Sequence, residues 1–365
     1  MKIDIIAGAR PNFVKIAPLI EQINNKKNMG IDISYRLVHT GQHYDEAMSN
    51  SFFKELDIPM PDINLGVGSS TQAKQTADIM LGYEKTLDNH KPDLCIVVGD
   101  VNSTMACSIV AKKMNISIAH IEAGIRSFDM NMPEEINRII TDSITDYFFT
   151  TSKTANQNLL KSGINKNKIF FVGNVMIDTL LKQMPNFKKP HIFTKMNLNK
   201  NKYIVLTLHR PSNVDNIKEL ENILYTINNN VYNSPILFPV HPRTDKILSK
   251  MNFDFENIYR IQPMSYLEFN YLVANSACVI TDSGGITEET TVLGIPCMTL
   301  RNNTERPETI THGTNEIVGV DTMKITLALK KLFSGNWKTG CIPELWDGKT
   351  SSRIVNHILK LNIEK

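Results

Sequence analysis

Along this chain short runs rich in Val and Ile alternate with amphipathic stretches of helical length, the pattern of a parallel sheet covered by helices on both faces. In the first half the strand candidates are residues 2–9, 35–40, 94–100, 117–122, 147–151 and 169–173. The pattern then restarts with candidates at 203–209, 236–241, 258–264, 278–281 and 297–300. An α/β class with two doubly wound parallel-sheet domains is expected. Between the two series the chain opens with "GNVMIDTL" and becomes rich in Pro and Lys without a clear period, so the junction is read there. The expected organisation is a first domain over 1–173 and a second over 174–349. Ile354, Ile358 and Leu361 recur at helical spacing, and residues 350–365 are read as a terminal helix packing back on the first domain.

The totals agree with two domains: 365 residues is more than one ordinary core accommodates. With 42% hydrophobic and 21% charged residues the composition is that of a globular protein, and its apolar runs stop short of the ~20 residues that span a bilayer. The opening "MKIDIIAGARP" reads as a first strand, because the stretch has strand length and lacks a small-residue cleavage site. Five cysteines (Cys95, Cys107, Cys278, Cys297, Cys341), odd in number and without a C-x-x-C pair, suggest reduced thiols and the cytoplasm. Forty basic against thirty-seven acidic residues leave a net charge of +3, too slight to argue for a nucleic-acid surface. Any anion bound here must be held locally.

In open α/β sheets ligands bind outside the carboxyl ends of the strands. The unusual residues of this chain fall there: "GARPNFVK", "HTGQHYD", "GDVNST" and "HIEAGIRS" in the first half, "HRPSN", "HPRT", "TDSGG" and "RNNTERPE" in the second. In "TDSGGITEE", Ser283, Gly284 and Gly285 leave a strand and start a helix, so free backbone N–H groups and the positive helix end can face a diphosphate. Glu288 and Glu289 follow within about a turn, where a carboxylate can accept two vicinal ribose hydroxyls. The plainer reading is that the acids favour a helix start and the glycines turn the chain; spacing alone leaves both open. There is no Walker A lysine motif, and "GVGSST" lacks G-x-G-x-x-G spacing, so nicotinamide and ATP chemistry are unsupported. No H-E-x-x-H occurs, and His39 and His43 lack an acidic or thiol partner at ligand spacing, so no metal is expected.

"GARPNFVKIAPL", "TGQHYDEAM", "VVGDVNST", "HIEAGIRS", "MPEEINR", "VGNVMID", "TLHRPSN", "TDSGGITEE", "LRNNTERPET" and "GTNEIVG" follow one another over nearly the whole chain. In this order they resemble the UDP-N-acetylglucosamine 2-epimerases, chiefly the non-hydrolysing bacterial type. The resemblance implies a GT-B architecture, two Rossmann-like domains with the active site in the cleft, a homodimer and no external cofactor. It also implies reversible C2 epimerisation of UDP-N-acetylglucosamine to UDP-N-acetylmannosamine, by elimination of UDP to a glycal and re-addition, supplying activated sugar for surface polysaccharide.

By the same resemblance Asp100, Glu122 and Glu134 are the acid/base candidates and His209 is catalytic. Asp100 and Glu122 end apolar runs, where desolvation favours the protonated carboxyl. Glu134, after Pro133, has the alternative role of a first-turn helix acid. Arg10 and Lys15 are matched to the leaving diphosphate. Ser283, Gly284, Gly285 and Glu289 correspond to the UDP-binding segment, with Arg210 and His241 as further substrate contacts and Arg306 and Glu308 as support. Gln42 and His43 match a second, regulatory UDP-N-acetylglucosamine site described for the family. The loops at Pro211-Ser212-Asn213 and 241–244 depart from its usual form. Alternatives are a hydrolysing 2-epimerase releasing N-acetylmannosamine and UDP, a 2-epimerase for a modified UDP-N-acetylhexosamine, and a GT-B glycosyltransferase.

Overall fold

The computed structural model describes residues 1–41, 52–240, 242–251 and 255–361. The chain divides into two compact units, Met1–Gln183 with Glu344–Lys365, and Met184–Pro343. Each is a parallel sheet with interleaved helices, the two-domain α/β class read from the alternating pattern.

In the first unit the strands are β1 (Lys2–Ala7), β2 (Ser34–His39), β3 (Ile63–Asn64), β4 (Leu94–Val98), β5 (Ser117–Ile121), β6 (Tyr147–Thr150) and β7 (Ile169–Phe171). Among the described residues they form one sheet in the order β3-β2-β1-β4-β5-β6-β7. Every pairing is parallel. A parallel sheet is covered on both faces, which is why β4 is an unbroken apolar run, with Leu94 to Val98 all buried. β3 escapes the sequence pattern because two residues cannot show an alternation. β4 and β5 stop before Asp100 and Glu122, short of the ends read from sequence. Gly99 at φ +69° and Glu122 at φ +73° are left-handed and turn the chain out of the sheet.

The helix Val175–Gln183 corrects the domain boundary. The sequence reading gave residues 174–183 and 344–349 to the second domain; both belong to the first unit. Helix Val175–Gln183 is fastened to helix Arg10–Asn28 by Thr179 Oγ1 donating to Val14 O at 2.6 Å and by Lys182 paired with Glu21 at 3.0 Å. Trp346 is buried, and its Nε1 donates to Thr151 O at 3.1 Å. The terminal helix Thr350–Ile358 packs in this unit as well, with Ile354, Val355 and Ile358 fully buried, each contributing about 1.5–3 kcal/mol. Asp178 caps its start, accepting the N–H groups of Thr350 and Ser351 at 3.0 and 2.6 Å. Burial pushes the Asp178 carboxyl up, against the pull of these bonds.

In the second unit the strands are β8 (Ile204–Thr207), β9 (Ile236–Pro239), β10 (Ile258–Ile261), β11 (Cys278–Thr281), β12 (Cys297–Thr299) and β13 (Asn315–Ile317). Their order among the described residues is β10-β9-β8-β11-β12-β13, all parallel. β13 was not read from sequence, being three residues at an edge, two of them polar. One face packs on a core that includes Leu206, Leu220, Leu224, Phe238, Ile280 and Leu329. In each sheet the strand order reverses once, between β1 and β4 and between β8 and β11. Chain connectivity therefore opens a crevice at the carboxyl ends of those two pairs.

Among the described residues no helix is long and apolar enough to cross a membrane. All five cysteines are unpaired; four are buried and Cys341 is exposed.

Candidate active site

The turn after β1 is built by Asn12. Its Oδ1 accepts the N–H groups of Gly8 and Ala9 at 3.1 and 2.9 Å, and its Nδ2 donates to Val98 O at 2.9 Å. The chain is thereby closed onto the end of β4, where helix Arg10–Asn28 begins. A Cβ on Gly8 would sit 2.0 Å from Ser103 Oγ, so only glycine fits between the two turns. Ser103 and Thr40 hydroxyls lie 2.7 Å apart and bring in the end of β2.

On this frame Lys15, buried, forms an ion pair and hydrogen bond through Nζ with Glu122 Oε2. Gly99 lies against the pair: a Cβ there would be 3.3 Å from Lys15 Nζ and 3.4 Å from Glu122 Oε2. A non-glycine residue at φ +73° is uncommon, and strain of this kind persists only where surrounding structure enforces it. Here the peptide at Glu122 is pinned by the N–H groups of Glu122 and Ala123, which both donate to Phe149 O at 3.0 and 3.1 Å. Asp100, half-buried, accepts from Arg138 Nη2, while Arg138 Nη1 donates to Glu135 Oε2 at 2.8 Å. Asp100 O accepts Asn137 Nδ2 at 2.9 Å.

Arg10 and Glu134 are half-buried. The Arg10 guanidinium lies 5.1 Å above the Phe52 ring. Glu134 is in the first turn of helix Pro133–Ile144, as read from sequence; its neighbour Glu135 is the structural acid. Glu135 is buried and accepts Ser127 N at 2.8 Å, Ser127 Oγ at 3.0 Å and Phe128 N at 3.1 Å. Behind the site, His120 Nδ1 is 2.7 Å from Asp142 Oδ1 and its Nε2 is 2.8 Å from Gly99 O. Arg126 Nη1 closes on Asp142 Oδ2 at 2.7 Å. Burial would raise the Asp142 carboxyl, but His120 and then Arg126 outweigh it and hold the group below the usual carboxylate range.

In the second unit Ser283 is the residue before helix Gly284–Leu293, and its side chain makes no capping hydrogen bond. A Cβ on Gly284 would meet nothing nearer than Arg306 Nη1 at 3.8 Å, so the helix N-terminus is open at this point. Glu288 pairs with Arg306 Nε at 2.8 Å, and the Arg301 guanidinium grips Glu305 at 2.8 Å through both Nη1 and Nη2. Glu289, one residue past Glu288, is buried and accepts Tyr266 Oη at 2.9 Å. Burial pushes the Glu289 carboxyl up to about 7, with Tyr266 and Asn270 pulling the other way. His209 is exposed, and its Nδ1 lies 2.8 Å from Asp282 Oδ1. Arg210, half-buried, donates through Nε to Asp282 O at 3.0 Å. Among the described residues no group of three or more His, Cys, Asp or Glu could hold a metal ion. Gln42, His43 and His241 lie outside the described residues.

Cationic side chains, paired carboxylates and an open helix N-terminus thus stand at the two crevices that strand order defines. A family model described as UDP-N-acetylglucosamine 2-epimerase matches residues 25–359. The chain belongs to the UDP-N-acetylglucosamine 2-epimerase family. This family member is 42% identical over 367 residues to the UDP-N-acetylglucosamine 2-epimerase of Methanocaldococcus jannaschii, covering 97% of this chain and 98% of that one. A crystal structure of the Methanocaldococcus jannaschii UDP-GlcNAc 2-epimerase in complex with UDP-GlcNAc and UDP matches with a TM-score of 0.89 at 41% identity, covering 99% of this chain and 100% of that one. A Pseudomonas aeruginosa relative, UDP-2,3-diacetamido-2,3-dideoxy-D-glucuronate 2-epimerase, is 37% identical over 371 residues, covering 99% of this chain and 100% of the other.

Sequence reading of this family member singled out the acids, together with Lys15 and Arg306, and passed over Arg138, Asp282 and His120. Arg138 shares a helix with Glu134 and Glu135, and its i,i+3 spacing from Glu135 is the one signal that would have found it. Asp282 stands beside Ser283 at the end of an apolar run, where a carboxylate needs donors to be buried. His120 carries no local signal, since its partners Gly99 and Asp142 are 21 and 22 residues away.

Proposed function

We propose that this chain interconverts UDP-N-acetylglucosamine and UDP-N-acetylmannosamine without releasing free sugar. The observation that carries the reading is that Asp100 and Glu122 follow adjacent paired strands, β4 and β5, and each is gripped by a cation, Arg138 and Lys15. The C2 proton of an N-acetylhexosamine is not next to a carbonyl, so its direct removal would leave an unstabilised carbanion. Breaking the C1–O bond first makes C1 electron-poor; its electron pair leaves on the diphosphate oxygen. A carboxylate then takes the C2 proton, and the C–H electrons form the C1=C2 double bond of a glycal. Re-addition reverses these steps after protonation from the other face of C2, with the diphosphate oxygen rebonding to C1.

In this reading Asp100, Glu122 and Glu134 exchange the C2 proton. Arg10, Lys15 and His209 stabilise the leaving diphosphate, together with the N–H groups at Gly284 and Gly285 and the side chain of Ser283, whose own N–H is tied to Thr281 Oγ1 at 3.0 Å. Glu289 accepts the ribose hydroxyls, and Arg210 and His241 complete the diphosphate contacts. Gln42 and His43 belong to a regulatory site for a second UDP-N-acetylglucosamine. The enzyme acts as a homodimer in the cytoplasm, without external cofactor, and supplies sugar for surface polysaccharide. A second reading, a modified diacetamido uronic sugar as substrate, is supported by the Pseudomonas aeruginosa relative at 37% identity.

The test is to incubate the protein with each UDP-sugar and identify products by NMR. UDP-N-acetylmannosamine formed from UDP-N-acetylglucosamine supports the first reading. Turnover of the diacetamido uronate alone replaces it with the second, and free N-acetylmannosamine plus UDP replaces it with hydrolysis. Transfer to an acceptor with no epimer formed overturns all three.

A further inference from the structure

Asp282 directly follows β11, and β11 pairs with β8, so its side chain reaches the turn that follows β8. It is fully buried. Its Oδ2 accepts His209 N at 3.0 Å, Arg210 N at 2.9 Å and Asn213 Nδ2 at 3.2 Å, and Asn213 is itself tied to Leu300 O at 3.0 Å. Its Oδ1 lies 2.8 Å from His209 Nδ1. Burial alone would raise this carboxyl; the bond and charge of His209, then the N–H groups of Arg210 and His209, hold it below the usual range. Asp282 is therefore an ionised acceptor with no proton to give, and Nδ1 must be the donor. The ring beyond that bond faces outward, the His209 side chain being 53% exposed.

We propose that Asp282 is a positioning residue that fixes His209 with its proton on Nδ1 and presents Nε2 to the substrate. The proposal deepens the reading above, in which His209 acts on the leaving diphosphate. Once Nε2 takes a proton from solvent, the imidazolium is matched by a buried carboxylate that needs no rearrangement and Nε2 donates to the departing oxygen; the same carboxylate holds the backbone on either side of the ring. Neither role is legible from sequence, where the two residues are 73 positions apart.

The experiment begins with the unliganded wild type, labelled with 15N histidine, with H209N used to assign the His209 signal. The expected neutral form carries hydrogen on Nδ1; a neutral ring protonated on Nε2 overturns the proposal. This measurement needs neither turnover nor a further variant, so it stands if the epimerase reading fails and also if D282N does not fold. In D282N the amide faces Nδ1 with a donor or a weaker acceptor, and the signal is expected to move to the Nε2 tautomer. With substrate, D282N should lower kcat by ~100-fold or more with KM changed less than ~3-fold. In an H209N background the same change should cost less than ~3-fold, because its effect runs through the ring. An equal loss in both backgrounds would show a merely structural role and overturn the proposal.

Discussion

Lys15 and Glu122 form a buried ion pair at the carboxyl ends of β1 and β5, and Glu122 reaches it from a left-handed backbone at φ +73°. Removing one member of such a pair strands the other charge, at a cost of about 3–5 kcal/mol, whereas removing both is far less harmful. Thermal melts should therefore rank the wild type first, K15M/E122Q next and K15M lowest. A K15M protein as stable as the double variant would show that the charges are not coupled. Turnover should fall by ~100-fold or more in E122Q, the usual contribution of a general acid or base.

Arg138 holds Asp100 with one nitrogen and Glu135 with another, a fork that lysine cannot copy. R138K should lower kcat by ~10-fold or more while UDP binding, measured calorimetrically, stays within ~3-fold. A loss confined to KM would place Arg138 in substrate binding instead.

Glu289 gives stability a pH dependence with a definite sign. Its carboxyl is near 4.5 in the unfolded chain and about 7 when folded, so between these values the folded state binds the additional proton. Stability falls as pH rises through that window: burial costs nothing below it and its full penalty above it. E289Q removes the titration, so from pH 4.5 to 8 its Tm should decline less than that of the wild type. Parallel curves would contradict the burial argument. Removing the ionised acceptor should also weaken UDP-N-acetylglucosamine binding by ~10-fold or more at pH 8.

Gly284 separates folding from ligand approach. An added Cβ finds open space, with Arg306 atoms the nearest neighbours at 3.8 Å and beyond, and Ala suits a helix better than Gly by up to ~1 kcal/mol. G284A should keep the wild-type Tm or exceed it, yet raise the Kd for UDP by ~10-fold or more because the methyl stands in front of the phosphate-facing N–H groups. An unchanged Kd would remove this helix start from the diphosphate site.

Most strands and the two-domain α/β class were legible, because a sheet buried on both faces needs apolar runs such as Leu94 to Val98 with no polar alternation to confuse them. The short edges β3 and β13 were not, being too brief to carry a pattern. The junction was misplaced because the Pro- and Lys-rich stretch marks where the chain leaves a unit only after helix Val175–Gln183, whose contacts with helix Arg10–Asn28 join residues 165 positions apart. At the candidate site the acids Asp100 and Glu122 announced themselves by ending apolar runs. The sequence expectation considered desolvation alone; Lys15 and Arg138 stand against them as cations, one 107 and the other 38 positions away. Such pairings exist only once the sheet has formed.

Proton removal at C2 during reversible loss of UDP is the claim on which the proposed chemistry rests. Run in D2O with UDP-N-acetylglucosamine, the reaction should place solvent deuterium at C2 of the epimer while UDP stays bonded to the sugar. Formation of the epimer with its original C2 proton retained would contradict it.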